Sequence, residues 1–187
     1  MKEEVIELDT VDKYNKFFGV ETYHPMVTVE YLSKITQPAQ PFTINYGIYA
    51  LFLKDTLCGD ITYGRQPYDY QEGTIVCFAP GQVASIHAQE GTRPTGYGLL
   101  FHPDFIRGTQ LGHDIRNYSF FSYEAREALH LSEEERHTVI DCLHKIDTEL
   151  RRPADKHRRR MNTANIGLLL DYCLRFNARQ FNTRDAS

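Results

Sequence analysis

The segment LSEEERHTVIDCLHKIDTELRR, residues 131–152, is where the sequence changes from a β pattern to a helical one. Ser132 is followed three residues later by Glu135, which is the spacing of a capping box, in which each side chain bonds the other residue's backbone amide. Pro153 cannot continue a helix and ends the pattern. Apolar residues recur between these limits at helical spacing: Val139, Cys142, Leu143, Ile146 and Leu150. The segment therefore predicts a helix.

A second helical pattern follows, from residue 156 to residue 181. Two helices joined by a short connection form a helical hairpin. The apolar stripe of this second helix is a candidate dimer interface, but an amphipathic helix always buries its stripe somewhere, and the chain's own sheet is an equally good partner. The stripe consists of Met161, Ile166, Leu169, Leu170, Cys173 and Phe176.

Residues 43–101, upstream of the hairpin, have a β pattern rich in Tyr, Ile, Phe, Thr and Val, with Gly and Pro at short intervals. We interpret FTINYGIYALFLKD, residues 42–55, as one strand with a kink at Gly47. The APGQ sequence predicts a turn in which Pro80 fixes φ and Gly81 adopts a positive φ. Several short strands of this kind predict a sandwich or a small barrel whose interior can hold a small ligand.

Charge and composition exclude several functional classes. The 187-residue chain has a net charge of −4, because it holds 21 basic and 25 acidic side chains. DNA binding needs a basic surface, so we do not expect this chain to bind DNA by itself. The basic run RRPADKHRRR, residues 151–160, is interpreted as a solvated loop, with DNA or an acidic partner as the alternative. No apolar run approaches the roughly 20 residues of a membrane span. The first ten residues are acidic and lack the apolar core of an export signal, so we expect none.

The sequence shows no catalytic or metal-binding motif. The four cysteines have no CxxC spacing, and the eight histidines include no HxH pair of the kind that metal-binding cupins use. Nucleophile motifs such as GxSxG and a phosphate-binding P-loop are also missing. We therefore predict no metal, no cofactor and no enzymatic activity, and we expect four reduced thiols in a cytoplasmic protein.

The β region carries the candidate ligand-binding residues. A Tyr inside a β cavity offers an apolar wall and one hydrogen-bonding group, which suits a small polar ligand. Arg65 is able to pair with an anionic ligand. The alternative is that Tyr is simply a good strand residue and that the interior is filled by the chain's own side chains. The candidates are Tyr46, Tyr63, Arg65, Tyr70, His87 and Tyr97.

Five segments occur in an order and spacing that resemble a known family. They are YHPMVTVEYLSK, YGIYALFLKD, CGDITYGRQPYDYQEGTIVCFAPGQ, GYGLLFHPDFIRGTQL and LLLDYCLRFNARQFNTR. Together they resemble the N-terminal half of AraC-type transcription regulators, especially the Bacteroidetes-like branch. The family's RFYxRQF-like segment is matched except at Asn177, where an aromatic residue is usual. The matching residues are Arg175, Phe176, Arg179, Gln180 and Phe181.

The resemblance implies a fold that is mainly β with α, a cupin-like β-barrel or jelly roll followed by a C-terminal helical hairpin. Residues 1–20 would form a mobile N-terminal arm, residues 21–131 the effector-binding barrel and residues 132–182 the dimerisation hairpin. Residues 183–187 would begin a linker to a helix-turn-helix DNA-binding domain that this chain lacks. Each part has its own implied role in a regulator, as effector pocket, dimer contact or connection to DNA.

The implied function is that of a sensory and dimerisation domain. It would be a homodimer, would bind a small-molecule effector, and would reach DNA only through the missing C-terminal domain, with no membrane partner. Two alternatives remain open from the sequence. One is a ligand-free dimerisation or interaction module, and the other is a stand-alone cupin-like binding protein or enzyme.

Overall fold

A computed structural model describes residues 4–36, 41–55, 59–63, 66–67, 73–88, 95–122 and 128–185. For residues 59–63, 66–67, 87–88 and 183–185 it describes the backbone alone. The strands in these ranges are β1 (Val5–Leu8), β2 (Val27–Tyr31), β3 (Phe42–Tyr46), β4 (Tyr49–Lys54), β5 (Gly59–Tyr63), β6 (Gln66–Pro67), β7 (Thr74–Phe78), β8 (Val83–Ala88), β9 (Gly96–Phe101) and β10 (Leu129–His130). The α-helices are α1 (Val11–Phe18), α2 (Pro103–Ile106), α3 (Gln110–Asp114), α4 (Glu133–Arg151) and α5 (Arg158–Asp185).

The strands form two five-stranded sheets. Sheet A has the order β1-β3-β8-β5-β6, and its β1–β3 pair is parallel. Sheet B has the order β10-β7-β4-β9-β2, and all of its pairs are antiparallel. Consecutive strands often lie in different sheets, so the chain passes repeatedly from one sheet to the other.

One of these crossings lies where we predicted a single kinked strand. The chain leaves sheet A after β3 and enters sheet B with β4, so the predicted strand is two strands in two sheets. Gly47 lies between them and donates its backbone N–H to the carbonyl of Leu8 at 2.9 Å. A Cβ atom on Gly47 would lie only 2.5 Å from the Cβ of Asp9. The crossing therefore requires glycine, because the N-terminal segment passes directly over it.

Sheet B lies between two packed layers. Along β4, Ala50 and Phe52 belong to the core between the two sheets, whereas Leu51 and Leu53 belong to the core between sheet B and the helices. We call the first core the inter-sheet layer and the second the helix-side layer. Because both faces of β4 and β7 are covered, each strand carries an unbroken apolar run, from Ala50 to Leu53 in β4 and from Ile75 to Phe78 in β7, and does not alternate with polar residues there.

The predicted turn at APGQ is confirmed. Gly81 adopts a φ of 91°, and the turn connects β7 of sheet B to β8 of sheet A. The buried side chain of Gln82 fixes the turn, since its Oε1 accepts the N–H of Ala79 at 2.7 Å and its Nε2 donates to the carbonyl of Phe121 at 3.0 Å.

The predicted helical hairpin is also confirmed. The Ser132 side chain accepts the N–H of Glu135, and the Glu135 side chain accepts the N–H of Ser132, so α4 begins with the capping box. Helix α5 begins at Arg158 and continues to Asp185. Residues 183–185, which we expected to begin a linker, are therefore helical, and residues 186–187 lie outside the described residues.

The N-terminal segment is part of the folded core. Thr10 caps α1, and Gly19 ends it in the left-handed conformation. Val11, Tyr14 and Phe18 of α1 are buried in the inter-sheet layer. The described part of the N-terminal region is therefore docked and not a mobile arm. Strand β1 adds to the edge of sheet A, and α1 packs on the inter-sheet layer.

The end of α5 is bonded to β10, which is an edge strand of sheet B. The Gln180 Oε1 accepts the backbone N–H of His130 at 2.8 Å, and its Nε2 donates to the carbonyl of Ala128 at 3.2 Å. Arg179 donates to both carboxylate oxygens of Glu135 and to the carbonyl of His130. These bonds fix the end of the second helix to the start of the first.

The fold prediction is confirmed in its outline. A β region is followed by a helical hairpin, but the described residues contain more helix than strand, and α1, α2 and α3 were not anticipated. The sheets form an open sandwich, so a closed cupin-like barrel or jelly roll is not confirmed. None of the helices in the described part of the chain is long and apolar enough to cross a membrane.

Candidate functional site

The inter-sheet layer is built largely from aromatic side chains. Tyr46 of sheet A stacks on Phe78 of sheet B, with ring centroids 4.7 Å apart. Tyr14 of α1 lies with its ring centroid 6.4 Å from that of Phe52. These rings bring together residues from both sheets and from α1, and they give the layer an apolar interior with a few phenol groups.

A carboxyl group is buried in this layer. Val27 and Val29 of β2 pack toward the helices, so the alternating residues Thr28 and Glu30 face the other way, into the layer between the sheets. Glu30 is only 4% exposed. Its Oε1 accepts a hydrogen bond from the Thr28 hydroxyl at 3.2 Å, and its Oε2 has no hydrogen-bond partner among the described residues.

Burial changes the acidity of Glu30. Desolvation raises its pKa from the ordinary value of 4.5 to about 7, although the hydrogen bond from Thr28 acts in the opposite direction. The carboxyl group therefore exists in both the neutral and the ionised form near neutral pH. A buried carboxyl oxygen without a partner is energetically unfavourable, and a ligand that donates a hydrogen bond to it removes that penalty.

A glycine and an aromatic ring lie beside Glu30 across sheet B. Glu30 is paired in register with Gly98 of β9, and Gly98 is paired with Phe52 of β4. A Cβ atom on Gly98 would lie 3.1 Å from the ring of Phe52, so that ring leans over the glycine. The three residues form a row across the sheet, in which the Phe52 ring is the neighbour of the Glu30 side chain.

A basic residue shares this face of sheet B. Lys54 is 8% exposed, and its Nζ lies 5.9 Å from the ring centroid of Phe52. Its position two residues after Phe52 on β4 places it on the inter-sheet side. The layer therefore contains a buried acid and a buried base, which sequence reasoning did not select as site residues.

The predicted ligand-binding residues do not all meet. Tyr46 lies in the inter-sheet layer and is 2% exposed. Tyr97 packs on the helix side of sheet B, where its ring contacts those of Tyr31 and His144 with centroid distances of 5.4 and 5.8 Å. Tyr46 and Tyr97 are therefore separated by sheet B.

The other candidates lie where the structure gives less detail. Tyr63 on β5 and His87 on β8 belong to neighbouring strands of sheet A, and only their backbone is described. Arg65 and Tyr70 lie outside the described residues. Their predicted roles stay predictions.

The predicted dimer stripe of α5 is mostly used within the chain. Its buried members pack in the helix-side layer, against sheet B and α4: Ile166, Leu169, Leu170, Cys173 and Phe176. Met161 is the exception and is 45% exposed. These buried side chains therefore serve the fold of one chain, and a second chain would have to contact a different face of α5.

The outer side of α5 forms a groove of about 710 Å³ with α3 and the segment that follows α3. Ala164, Gly167 and Leu168 are among the α5 residues that line it. A Cβ atom on Gly167 would meet nothing within 4 Å, so the groove is open at this glycine. Tyr118 donates its hydroxyl to Asp171 at 2.6 Å inside the groove. Leu168 is 44% exposed. The residues that line the groove include Lys156, Arg159, Arg160, Asp114 and Asp171.

The helix-side layer contains the three described cysteines. Cys77, Cys142 and Cys173 are buried and not in disulfides, and burial raises the pKa of each thiol. Cys58 lies outside the described residues. Among the residues that the structure describes, no group of three or more His, Cys, Asp or Glu side chains is arranged to hold a metal ion.

Comparison with known proteins does not identify a relative. No family model matches the chain, and no curated protein matches it significantly. The AraC-type resemblance of the five segments therefore stays a prediction, and the argument for function depends on the residues themselves.

Proposed function

We propose that this chain is the sensory and dimerisation domain of a DNA-binding transcription regulator of the AraC type. A small-molecule effector binds in the layer between the two sheets, the helical hairpin contributes to a homodimer, and DNA is bound by a separate C-terminal domain in the cytoplasm. The chain itself is not an enzyme. The observation that carries the effector site is that Glu30 is only 4% exposed, yet its Oε2 has no hydrogen-bond partner in the part of the chain that the structure describes.

The mechanism is a population shift between two arrangements of the N-terminal segment. In the arrangement described here, α1 is docked and Tyr14 takes up space in the inter-sheet layer. An effector that reaches Glu30 binds more tightly to an arrangement in which Tyr14 has moved aside. Because a ligand shifts an equilibrium only by its difference in affinity for the two states, this competition couples effector binding to the position of α1.

The homodimer is proposed to use the groove on the outer side of α5. Arg160 and Asp171 lie at opposite ends of the groove, with Ala164 and Gly167 between them. If two α5 helices cross antiparallel at this centre, Arg160 lies opposite the partner's Asp171 on both sides. A two-fold interface needs such self-complementarity, and the small residues let the helices approach closely.

Charge reversal tests the dimer. We expect Arg160→Glu and Asp171→Arg each to weaken the dimer, because each replaces two attractive pairs by two repulsive ones, whereas an equimolar mixture restores it. Light scattering measures the mass, and Lys145→Glu on the exposed side of α4 is the control. A monomeric wild-type protein, or variants whose mass is unchanged, would refute this interface.

A screen of small metabolites by thermal shift tests the sensor. A ligand present at 100 times its Kd stabilises the folded state by about 2.7 kcal/mol, which raises the Tm by several degrees. We expect a hit for the wild type that is reduced in Glu30→Leu, a variant that keeps the side-chain volume but removes the carboxyl group. Hits that are equal in both proteins would move the effector site away from Glu30.

A second candidate function is favoured by the aromatic filling of the layer. Tyr14, Phe18, Tyr46 and Phe78 occupy the space between the sheets, as expected for a sandwich that is filled by its own side chains. The chain would then be a ligand-free dimerisation or interaction module. A dimer that no compound stabilises would support this alternative over the sensor, and stoichiometric metal in the purified protein would favour a cupin-like enzyme.

A further inference from the structure

The surroundings of Glu30 define what kind of ligand group it accepts. Within the described residues, the carboxyl group receives one hydrogen bond, from Thr28, and none of the ion pairs includes it. Its Oε2 is therefore an acceptor in an apolar interior, without a positive charge bonded to it. Desolvation makes such an acceptor far more selective for charge than a carboxylate on the surface.

Among the described residues, three other ionisable groups face the layer near Glu30: Tyr14, Tyr46 and Lys54. Tyr14 approaches from α1, and burial, followed by the nearby Tyr46 and Glu30, raises its pKa above the ordinary 10.0, so its phenol stays neutral. Lys54 approaches from β4, and its Nζ lies 5.9 Å from the centroid of the Phe52 ring. Tyr46 faces the layer from sheet A, and burial raises its pKa above the ordinary 10.0, so its phenol also stays neutral. Ile44 from sheet A adds an apolar side chain.

We infer that the effector is a small organic cation, an ammonium group on a short aromatic body, which donates to Glu30 Oε2 while its ring packs on Phe52. This inference rests on the proposed sensor function. A cation is favoured over a neutral alcohol because it compensates the charge of the carboxylate and also supplies the missing hydrogen bond. An anion is disfavoured, because it would meet a like charge in a desolvated site.

We infer an aromatic ring in the ligand because the ring of Tyr14 already occupies the layer beside Phe52. The ring of Tyr14 lies with its centroid 6.4 Å from that of Phe52 and 4.6 Å from that of Phe18. Tyr14 thus acts as an internal occupant of the layer, and a ligand with a ring of the same size replaces it. The ammonium group gives the ligand an interaction with Glu30 that the Tyr14 phenol does not make, and this difference favours displacement of α1.

The test uses three probes that share one body and differ in the end group. Tyramine carries an ammonium group, 2-(4-hydroxyphenyl)ethanol carries a hydroxyl group, and 4-hydroxyphenylacetate carries a carboxylate. Isothermal titration with the whole chain measures the Kd of each. We expect tyramine to bind best and the carboxylate not to bind.

The variant Glu30→Gln separates charge from hydrogen bonding, because its amide oxygen still accepts a hydrogen bond. We expect tyramine to bind about tenfold more weakly or worse, the factor for loss of one charge-assisted hydrogen bond, and the alcohol to change little. Equal loss for both probes, or no loss for tyramine, would overturn the cation assignment.

The variant Tyr14→Leu tests the internal occupant. It removes the ring but keeps an apolar side chain, so that α1 still folds into the layer. We expect tyramine to bind more tightly to Tyr14→Leu than to the wild type, because no ring has to be displaced. Unchanged affinity would refute the replacement of Tyr14 by the ligand.

The outcomes of these titrations and of the thermal-shift screen distinguish failure of the cation assignment from failure of the proposed sensor function. If none of the three probes binds to the wild type or to Tyr14→Leu, but another class of compound stabilises the wild type and depends on Glu30, the cation assignment fails and the sensor survives. If no compound of any class stabilises either protein, both the cation assignment and the sensor fail.

Discussion

The two faces of sheet B differ in chemistry although they belong to the same strands. Toward the helices, the sheet contributes side chains that are almost wholly apolar, such as Val29, Leu53, Ile75 and Leu99. Toward sheet A it contributes aromatic rings together with the buried polar residues Thr28, Glu30, Lys54 and Thr74. The helix-side layer is built to hold the molecule together, whereas the inter-sheet layer retains polar groups that stability alone does not require.

The largest effect is expected from the helix-side layer. Leu143→Ala removes a side chain that is 0% exposed, and we expect it to destabilise the protein by about 2–5 kcal/mol. Denaturant unfolding measures the change. Leu174→Ala, at a position of α5 that is 39% exposed and outside the groove, is the matched control and should change stability by less than about 0.5 kcal/mol. Equal effects of the two substitutions would contradict the assignment of the buried layer.

Glu30 should give the next largest effect, and it should depend on pH. Its pKa of about 7 in the folded state lies above the ordinary 4.5, so the folded protein holds the proton more tightly than the unfolded chain does. Its contribution to stability is therefore complete below pH 4.5, is lost as the pH rises to 7, and stays lost above that. The total loss is on the order of 3 kcal/mol, at 1.36 kcal/mol for each pKa unit.

Unfolding of Glu30→Gln at several pH values checks this dependence. We expect the variant to match the wild type near pH 4 and to be the more stable protein near pH 8, because the amide cannot ionise. Glu134→Gln, an exposed residue in the first turn of α4, serves as the control. A constant difference between wild type and Glu30→Gln across this range would show that Glu30 does not titrate abnormally.

The smallest change in stability is expected at a buried polar residue of α5. Asn162 of α5 is 0% exposed, and neither its Oδ1 nor its Nδ2 finds a hydrogen-bond partner within the described ranges. We expect Asn162→Leu to stabilise the protein by about 1 kcal/mol, because it replaces two unsatisfied polar groups by methyl groups in a side chain of the same branched shape. Melting by circular dichroism measures this effect, with Asn165→Leu on the partly exposed side of α5 as the control. If Asn162→Leu lowered the melting temperature, the amide of Asn162 would have to be hydrogen-bonded in solution.

Local sequence signals predicted the local parts of the fold. The pair Ser132 and Glu135 marks the start of α4, Pro153 marks its end, and Gly81 marks the turn after β7, because each depends on residues that are neighbours along the chain. The start of α1 was missed although Thr10 and Gly19 carry ordinary capping chemistry, since we interpreted the acidic N-terminal region as a mobile arm.

Contacts between distant segments were beyond prediction from one sequence. Thr28 and Glu30 alternate with Val27 and Val29, and this pattern is typical of a strand with one face in water. Only the second sheet and α1, which cover that face, turn Glu30 into a buried group. The same limit applied to the α5 stripe, whose spacing is identical whether it packs on its own chain or on another.

The amide of Gln180 has a consequence for self-association. An edge strand offers unpaired backbone groups to which the strand of another molecule can add, and this addition is a common route to aggregation. On β10 the N–H of His130 and the carbonyl of Ala128 are already bonded to the side chain of Gln180, which imitates the peptide group of a missing neighbour. The last turns of α5 thus protect this edge of the sheet from a foreign strand.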